Sequence, residues 1–233
     1  MNANHLIVLG DSIARGVMYD AALEKYTLSR NTFEQALKAQ GVGVQNYSKP
    51  GCTVEAAFPI LKRLTQPEGA ILAIELGGND SDLPWSEVAQ SPQTKHPAAV
   101  PLENFVPRLK TLVEQARQLG AKPLVVTPLP VVAERYLKWI TRALSESAIL
   151  QYLGSSQYIY RWQERYAYAA MTAAREANCP VFDLRSLFLG RRDFESLMSL
   201  DGIHPNQEGH LLIRDAVVEA WNHLPANDSF VNS

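Results

Sequence analysis

Short apolar runs rich in β-branched residues recur along the chain and alternate with longer amphipathic stretches. The runs have the length of buried strands and cover residues 6–9, 42–47, 71–76, 123–127 and 180–184. Strands of a parallel sheet form such continuous runs because helices cover both faces of the sheet. The alternation therefore predicts a parallel sheet whose strands are joined by crossover helices.

Two of the intervening stretches show clear helical periodicity. In residues 103–119 the apolar side chains recur at intervals that place them on one helical face, namely Phe105, Val106, Leu109, Leu112, Val113, Ala116 and Leu119. Gly120 follows as a typical stop signal, and residues 207–221 carry a second apolar stripe. We expect an α/β fold, a three-layer α/β/α sandwich with a flavodoxin-like sheet of five parallel strands.

A single domain spanning residues 1–233 is the simplest organisation, because no Gly/Ser-rich or charged linker interrupts the chain. Two segments depart from the repeating pattern. Residues 81–101 are rich in proline, and residues 132–168 carry six of the nine tyrosines and two of the four tryptophans. We interpret both as insertions around a ligand site, in which Tyr136 and Trp139 are candidate substrate-binding residues of a partial cap. Core packing is the alternative for the aromatic segment, since several of its rings recur at helical spacing.

Charge and composition exclude several classes of partner. Lys and Arg number 22 against 24 Asp and Glu, and a net charge of -2 creates no general field for nucleic acid or an anionic membrane. The N-terminus lacks the features of a secretory signal and no apolar run approaches a membrane span, which predicts a cytoplasmic protein. Cys52 and Cys179 are too few for a disulfide framework or a structural zinc site, so we expect reduced thiols.

Two short motifs at opposite ends of the chain supply the groups that activate a serine. Gly10-Asp11-Ser12 follows the first predicted strand, and Asp201 precedes His204 by three residues. A serine hydroxyl is a weak nucleophile until an imidazole accepts its proton and a third group orients the imidazole. Ser12, His204 and Asp201 are candidates for these three roles, and we expect Asp11 to anchor the loop through backbone hydrogen bonds.

Two further loops are candidates for stabilising a developing oxyanion. Gly77-Gly78-Asn79-Asp80 follows the third predicted strand, and Lys49-Pro50-Gly51-Cys52 follows the second. The carboxyl ends of parallel strands meet at one edge of the sheet, so both loops are expected beside Ser12. An asparagine amide and a glycine N–H are suitable donors to an oxyanion. Each motif alone also fits an ordinary turn or helix cap, and it is their joint occurrence that favours a catalytic site.

These four blocks, in this order from Val8 to Gly209, resemble those of the SGNH (GDSL-type) hydrolase superfamily. Gly10-Asp11-Ser12 is similar to the nucleophile block, with Ile13 in place of the leucine of the family name. Gly51 is similar to the glycine of the second block. Residues 77–80 resemble the third block of the family, and residues 201–205 resemble the last.

The resemblance implies roles for these residues. Ser12 would attack the acyl carbon, His204 would transfer the proton, and Asp201 would orient His204. The N–H groups of Ser12 and Gly51, with the Asn79 side chain, would form the oxyanion hole. No metal or organic cofactor is implied, and the partner would be a small-molecule ester.

The sequence therefore predicts a serine esterase that acts on a small acyl ester, a thioester or an acetylated carbohydrate. An acyltransferase with the same triad is one alternative, because it differs only in whether an alcohol outcompetes water. A non-catalytic flavodoxin-like module that binds a phosphate-bearing ligand is the other. Against that module, the first loop lacks a glycine-rich cradle, and ligand binding has no need for Asp201 and His204. Around Ser12 the Gly-x-Ser-x-Gly elbow of α/β-hydrolases is absent.

Overall fold

A computed structural model describes residues 5–224 of the chain. Within this range the strands are β1 (His5–Gly10), β2 (Val17–Asp20), β3 (Lys25–Leu28), β4 (Gly43–Asn46), β5 (Ile71–Glu75), β6 (Lys122–Val126) and β7 (Val181–Phe182). The helices are α1 (Ser12–Arg15), α2 (Phe33–Ala39), α3 (Val54–Leu61), α4 (Trp85–Gln90), α5 (Leu102–Gln118), α6 (Ala133–Ile140), α7 (Glu146–Leu153), α8 (Gln157–Glu176), α9 (Leu184–Leu189) and α10 (Gln207–Asn222). Among these helices, none is long and apolar enough to cross a membrane.

In the described part of the chain, five parallel strands form the main sheet in the order β4-β1-β5-β6-β7. The prediction of a parallel sheet from five apolar runs is confirmed. Strand β1 lies between β4 and β5, and its last residue Gly10 is in register with Glu75. The loops that leave β4, β1 and β5 therefore begin at one edge of the sheet.

Side chains alternate between the two faces of the sheet and form two core layers. Ile7 and Leu9 of β1 pack with α3, α5 and α8 on one face. Leu6 and Val8 face the opposite way and pack with α2, α9 and α10. Because successive strand residues point to opposite faces, a continuous apolar run supplies both layers. The three-layer α/β/α prediction is thus confirmed, and both predicted helices lie within one residue of α5 and α10.

An antiparallel hairpin formed by β2 and β3 is absent from the elements that the sequence pattern predicts. The hairpin follows the helix that begins at Ser12, and Val17 pairs with Leu28 while Tyr19 pairs with Tyr26. The N–H of Tyr19 donates a 3.2 Å hydrogen bond to Ser199 Oγ, which joins the hairpin to the loop before α10. Four-residue strands give too short an alternation to stand out from a loop.

The two predicted insertions contact each other beside the sheet edge. Residues 81–101 contain α4, whereas residues 132–168 form α6, α7 and the first part of α8. Trp162 Nε1 donates to the carbonyl of Ser81 at 2.8 Å. The aromatic segment is divided in its packing, because Tyr166 is fully buried against α5 whereas Tyr168 is 68% exposed.

Candidate active site

Strand β1 leads directly into the turn that carries the candidate nucleophile. Asp11 is the N-cap of α1, and its Oδ1 accepts a 2.8 Å hydrogen bond from the N–H of Ile13. This bond confirms the prediction that Asp11 anchors the loop through the backbone. Ser12 is the first residue of α1 and is buried. The helix ends after one turn at Gly16, whose φ of +86° is a left-handed conformation that glycine adopts readily.

Ser12, His204 and Asp201 form a continuous hydrogen-bonded chain. His204 Nε2 lies 2.9 Å from Ser12 Oγ, and His204 Nδ1 lies 2.6 Å from Asp201 Oδ2. Burial alone would raise the pKa of Asp201, but the hydrogen bonds and charge of His204 hold that pKa below its usual value. Asp201 is therefore ionised at neutral pH. An ionised Asp201 assigns the imidazole proton to Nδ1 and leaves Nε2 free to accept the serine proton.

A tight loop over residues 198–205 brings Asp201 and His204 together. Asp201 Oδ1 accepts hydrogen bonds of 3.1 Å from the N–H groups two and three positions later, which curls the backbone around the carboxylate. Gly202 has a φ of +77°, and a Cβ on it would lie 2.6 Å from the Val132 carbonyl oxygen. Both the conformation and the space therefore require glycine. The N–H of Val132 donates to the Gly202 carbonyl, so this loop is tied to the start of α6.

Asn79 lies in the turn after β5 and is bonded to the nucleophile turn. Its Nδ2 donates a 2.7 Å hydrogen bond to Asp11 Oδ2. Gly77 allows the chain to turn here, because its φ of +124° is one that other residues rarely adopt. A Cβ at this position would also lie only 3.2 Å from the Phe105 ring. A primary amide carries two N–H groups, so one bond to Asp11 fixes the amide plane and leaves the other N–H for a second acceptor.

The loop after β4 also lies against the nucleophile turn. The N–H of Lys49 donates to the Gly10 carbonyl at 3.0 Å, and the N–H of Val54 donates to Asp80 Oδ1 at 2.8 Å. Burial raises the pKa of Asp80 to about 7. Gly51 itself is exposed, has a φ of +76° and does not line the cavity described below. The structure brings its loop to the site, and the role of Gly51 in binding an oxyanion stays a prediction.

A cavity of about 100 Å³ is lined by both Ser12 and His204, and we call it the catalytic cavity. Its wall is mostly apolar or aromatic and includes Leu83, Trp85, Leu129, Val131, Tyr136, Leu153, Tyr158, Ile159 and Trp162. Asp82 also lines it, whereas no Lys or Arg among the described residues does. Such a wall suits a small, uncharged ligand better than an anionic one.

Tyr136 is part of this wall, as the sequence predicted for a cap residue. Its hydroxyl donates a 2.8 Å hydrogen bond to Asp82 Oδ1, and Trp85 Nε1 donates to the same oxygen at 2.8 Å. Burial raises the pKa of Tyr136, and the nearby Asp82 charge raises it further, so the side chain stays a neutral phenol. The three side chains hold the two inserted segments together at the wall.

Trp139 lies outside the lining of the catalytic cavity, in contrast to its predicted place in the cap. Trp139 lies one turn further along α6 and packs against the hairpin. The centroid of its ring is 4.6 Å from that of Tyr19 and 6.1 Å from that of Tyr26. Tyr26 in turn places its ring edge-on to His204, with centroids 5.3 Å apart. The sequence pattern did not indicate the hairpin, so it did not indicate Tyr26 either. Trp139 packs against the hairpin, and Tyr26 of the hairpin in turn contacts His204.

Glu75 is a second residue of the site that the sequence pattern does not indicate, because it lies near the end of an apolar run. It lines the catalytic cavity, is 4% exposed, and its Oε2 accepts a hydrogen bond of 3.4 Å from the N–H of Asp11. Burial, together with the adjacent Asp11, raises the pKa of Glu75 well above its usual value. A single Glu at the end of an apolar run carries no motif that would have signalled this position.

Residues 8–212 match the model of the GDSL-like lipase/acylhydrolase family. The chain belongs to this family. The resemblance recognised from the four sequence blocks is thereby confirmed, and this GDSL-like hydrolase is a carboxylic ester hydrolase whose substrates are small-molecule esters. None of the curated proteins matches its sequence.

Solved structures similar to this GDSL-like hydrolase include a lipase/acylhydrolase from Enterococcus faecalis, with 19% identity over 97% of this chain and 99% of that one and a TM-score of 0.62. The esterase EstA from Pseudoalteromonas sp. is 17% identical over 94% and 97% of the two chains, with a TM-score of 0.57. The acetyl xylan esterase AlAXEase is 16% identical over 93% and 98%, with a TM-score of 0.60. At these identities the likenesses establish the fold alone.

Proposed function

We propose that this protein is a serine esterase that hydrolyses small, uncharged carboxylic esters through an acyl-Ser12 intermediate. The observation that carries the proposal is the hydrogen-bonded chain from Ser12 through His204 to Asp201, with distances of 2.9 and 2.6 Å. A nucleophile bonded to a base, and a base bonded to an orienting carboxylate, is the arrangement that acyl transfer by serine requires.

The reaction proceeds in two halves. Ser12 Oγ forms a bond to the acyl carbon while its proton passes to His204 Nε2. The tetrahedral intermediate then loses the alcohol as the carbon–oxygen bond breaks, and His204 returns the proton to the leaving oxygen. Water next attacks the acyl carbon while giving a proton to His204. The bond between the acyl carbon and Ser12 Oγ then breaks as His204 passes that proton to Oγ, which releases the carboxylic acid and restores the serine hydroxyl. Asp201 stays ionised throughout and stabilises the imidazolium that forms in each half.

The proposed oxyanion hole consists of the N–H groups of Ser12 and Gly51 with the side chain of Asn79. The bond from Asn79 to Asp11 supports this assignment, because it orients the amide before a substrate binds. Donors fixed in advance need no reorganisation as charge develops on the carbonyl oxygen. The loop of Gly51 is bonded to the carbonyl of Gly10, two residues before the nucleophile.

The catalytic cavity supports a substrate with a short acyl group and an uncharged alcohol. Its volume of about 100 Å³ and its aromatic wall leave little room for a long chain, and the lining carboxylates disfavour anionic groups. An acetylated carbohydrate fits these limits, because aromatic rings pack on sugar faces and a carboxylate such as Asp82 accepts hydrogen bonds from sugar hydroxyl groups. One structural relative is an acetyl xylan esterase by name.

The proposal is tested by hydrolysis of chromogenic esters from acetyl to decanoyl by the wild-type protein and by Ser12→Ala. We expect the acetyl ester to be the best substrate, and Ser12→Ala to lower its kcat/KM by about three orders of magnitude or more. Ser29→Ala is the matched control, because Ser29 is also buried but is bonded to Gln207 rather than His204. Hydrolysis by Ser12→Ala at the wild-type rate would refute the mechanism. Product analysis with an added alcohol distinguishes acyl transfer from hydrolysis.

A further inference from the structure

Glu75 is a buried carboxyl group that the proposed acyl transfer does not use. It is the last residue of β5, in register with Gly10, and a Cβ on Gly10 would lie 3.2 Å from Glu75 Oε2. The carboxyl group thus fills the space beside Gly10. It interacts with the backbone N–H groups of Asp11, at 3.4 Å, and Ala14. Glu75 therefore contacts the nucleophile turn on both sides of Ser12.

Glu75 lies beside Asp11 in the interior, since the two residues are 4% and 2% exposed and Glu75 Oε2 lies 3.4 Å from the backbone nitrogen of Asp11. Two adjacent buried carboxylates would repel each other and neither would have a hydrogen to donate, so a hydrogen bond between these side chains requires a proton on one of them. Asp11 accepts hydrogen bonds from the Ile13 N–H at 2.8 Å and the Asn79 amide at 2.7 Å, and both stabilise its negative form. The proton of the pair therefore resides on Glu75.

We propose that Glu75 is a positioning residue for the nucleophile. As a neutral acid it donates a hydrogen bond to Asp11 and so fixes the carboxylate that holds both the Ser12 turn and the Asn79 amide. This inference rests on the proposed function, because it assigns Asn79 and Ser12 their parts in acyl transfer. Glu75 touches neither the reacting atoms nor the base, and its effect passes through Asp11.

The proton on Glu75 makes the site sensitive to alkaline pH. Burial raises the pKa values of Glu75 and Asp11, and for Glu75 the Asp11 charge adds to the effect. Below its raised pKa, Glu75 is an acid and the pair carries one negative charge. Above it, two carboxylates face each other and the hydrogen bond is lost. The other titratable groups around the pair are Asp80, Cys52 and His204, and Lys49 lies near Cys52.

Glu75→Gln and Glu75→Met separate the roles of the proton and of the volume. A glutamine amide donates to Asp11 as the acid does and never ionises, so we expect Glu75→Gln to keep a kcat close to wild type and to remove the alkaline decline in kcat. Methionine fills the space without a donor. We expect Glu75→Met to lower kcat by about 10- to 100-fold, with KM almost unchanged, because a small displacement of reacting groups has effects of this size.

Asp183→Asn is the matched control, because Asp183 caps α9 and is bonded to Thr127 outside the catalytic cavity. It should keep both the wild-type kcat and the alkaline decline. A Glu75→Gln variant as slow as Glu75→Met would show that a negative charge is needed and would overturn the inference. A Glu75→Met variant as fast as wild type would overturn it as well.

An infrared difference spectrum at pH 7 tests the proton without any measurement of activity. Wild type minus Glu75→Gln should show the carbonyl stretch of a neutral carboxylic acid. If that difference contained a carboxylate band and no acid carbonyl band, the inference would be overturned even in a protein with esterase activity. Conversely, a wild-type protein that hydrolyses no ester would refute the proposed function, while the infrared band would still report on Glu75 and Asp11.

Discussion

Asn79 is the residue through which the candidate oxyanion hole is joined to the nucleophile turn. Its bond to Asp11 leaves one amide N–H. In the proposed mechanism this N–H donates to the substrate carbonyl oxygen, which gains charge only as the reaction proceeds. We therefore expect Asn79→Ala to lower kcat by about 100-fold or more with little change in KM. Steady-state kinetics on the acetyl ester measure kcat and KM of this variant, and its melting temperature is the control for folding. A rise in KM at constant kcat would instead identify Asn79 as a residue that binds the ground state.

At the residue scale, sequence and structure agree where a chemical role needs particular residue types at a fixed spacing. Asp201 and His204 are three positions apart because one carboxylate must bind both the loop backbone and the imidazole. At Gly51 the backbone conformation alone disfavours other residues, since its φ is +76° and no atom lies within 4 Å of a Cβ there. Glu75 was missed because its role comes from burial beside Asp11, which no local pattern encodes.

At the scale of elements, α6 presents Tyr136 to the catalytic cavity and Trp139 to the hairpin. We expect Tyr136→Ala to change the ratio of kcat/KM between short and long acyl esters by about tenfold or more, because it removes part of the wall. Trp139→Ala should lower the melting temperature and reduce kcat/KM for all esters in the same proportion. An unchanged ester profile in Tyr136→Ala, or a changed one in Trp139→Ala, would contradict this division of roles.

The elements that the sequence predicted are those whose pattern is long or whose burial is complete. The apolar stripe of α5 repeats over four turns, and β1 and β5 are continuous apolar runs. The β2–β3 hairpin has four residues in each strand and β3 is largely exposed, so the hairpin shows no clear alternation of apolar and polar residues. Its position beside His204 depends on the loop over residues 198–205, a contact between distant parts of the sequence.

At the scale of the whole molecule, the order of the strands explains how separate sequence blocks converge. Because β1 lies between β4 and β5, the loops with Gly51, Ser12 and Asn79 leave the sheet side by side. The last block reaches the same edge from the far end of the chain, and His204 Nε2 comes within 2.9 Å of Ser12 Oγ. Parallel topology was predictable from the apolar runs, whereas the contact between the two insertions depends on tertiary packing.

The most direct test of the central claim is covalent labelling of the native protein with a fluorophosphonate, followed by peptide mass spectrometry. Phosphonylation requires an activated serine, so we predict a single adduct on the peptide that contains Ser12. Labelling should be lost in His204→Ala, because the base no longer accepts the serine proton. Absence of labelling in the wild-type protein, or an adduct on another residue with Ser12 unmodified, would contradict the assignment of Ser12 as the nucleophile.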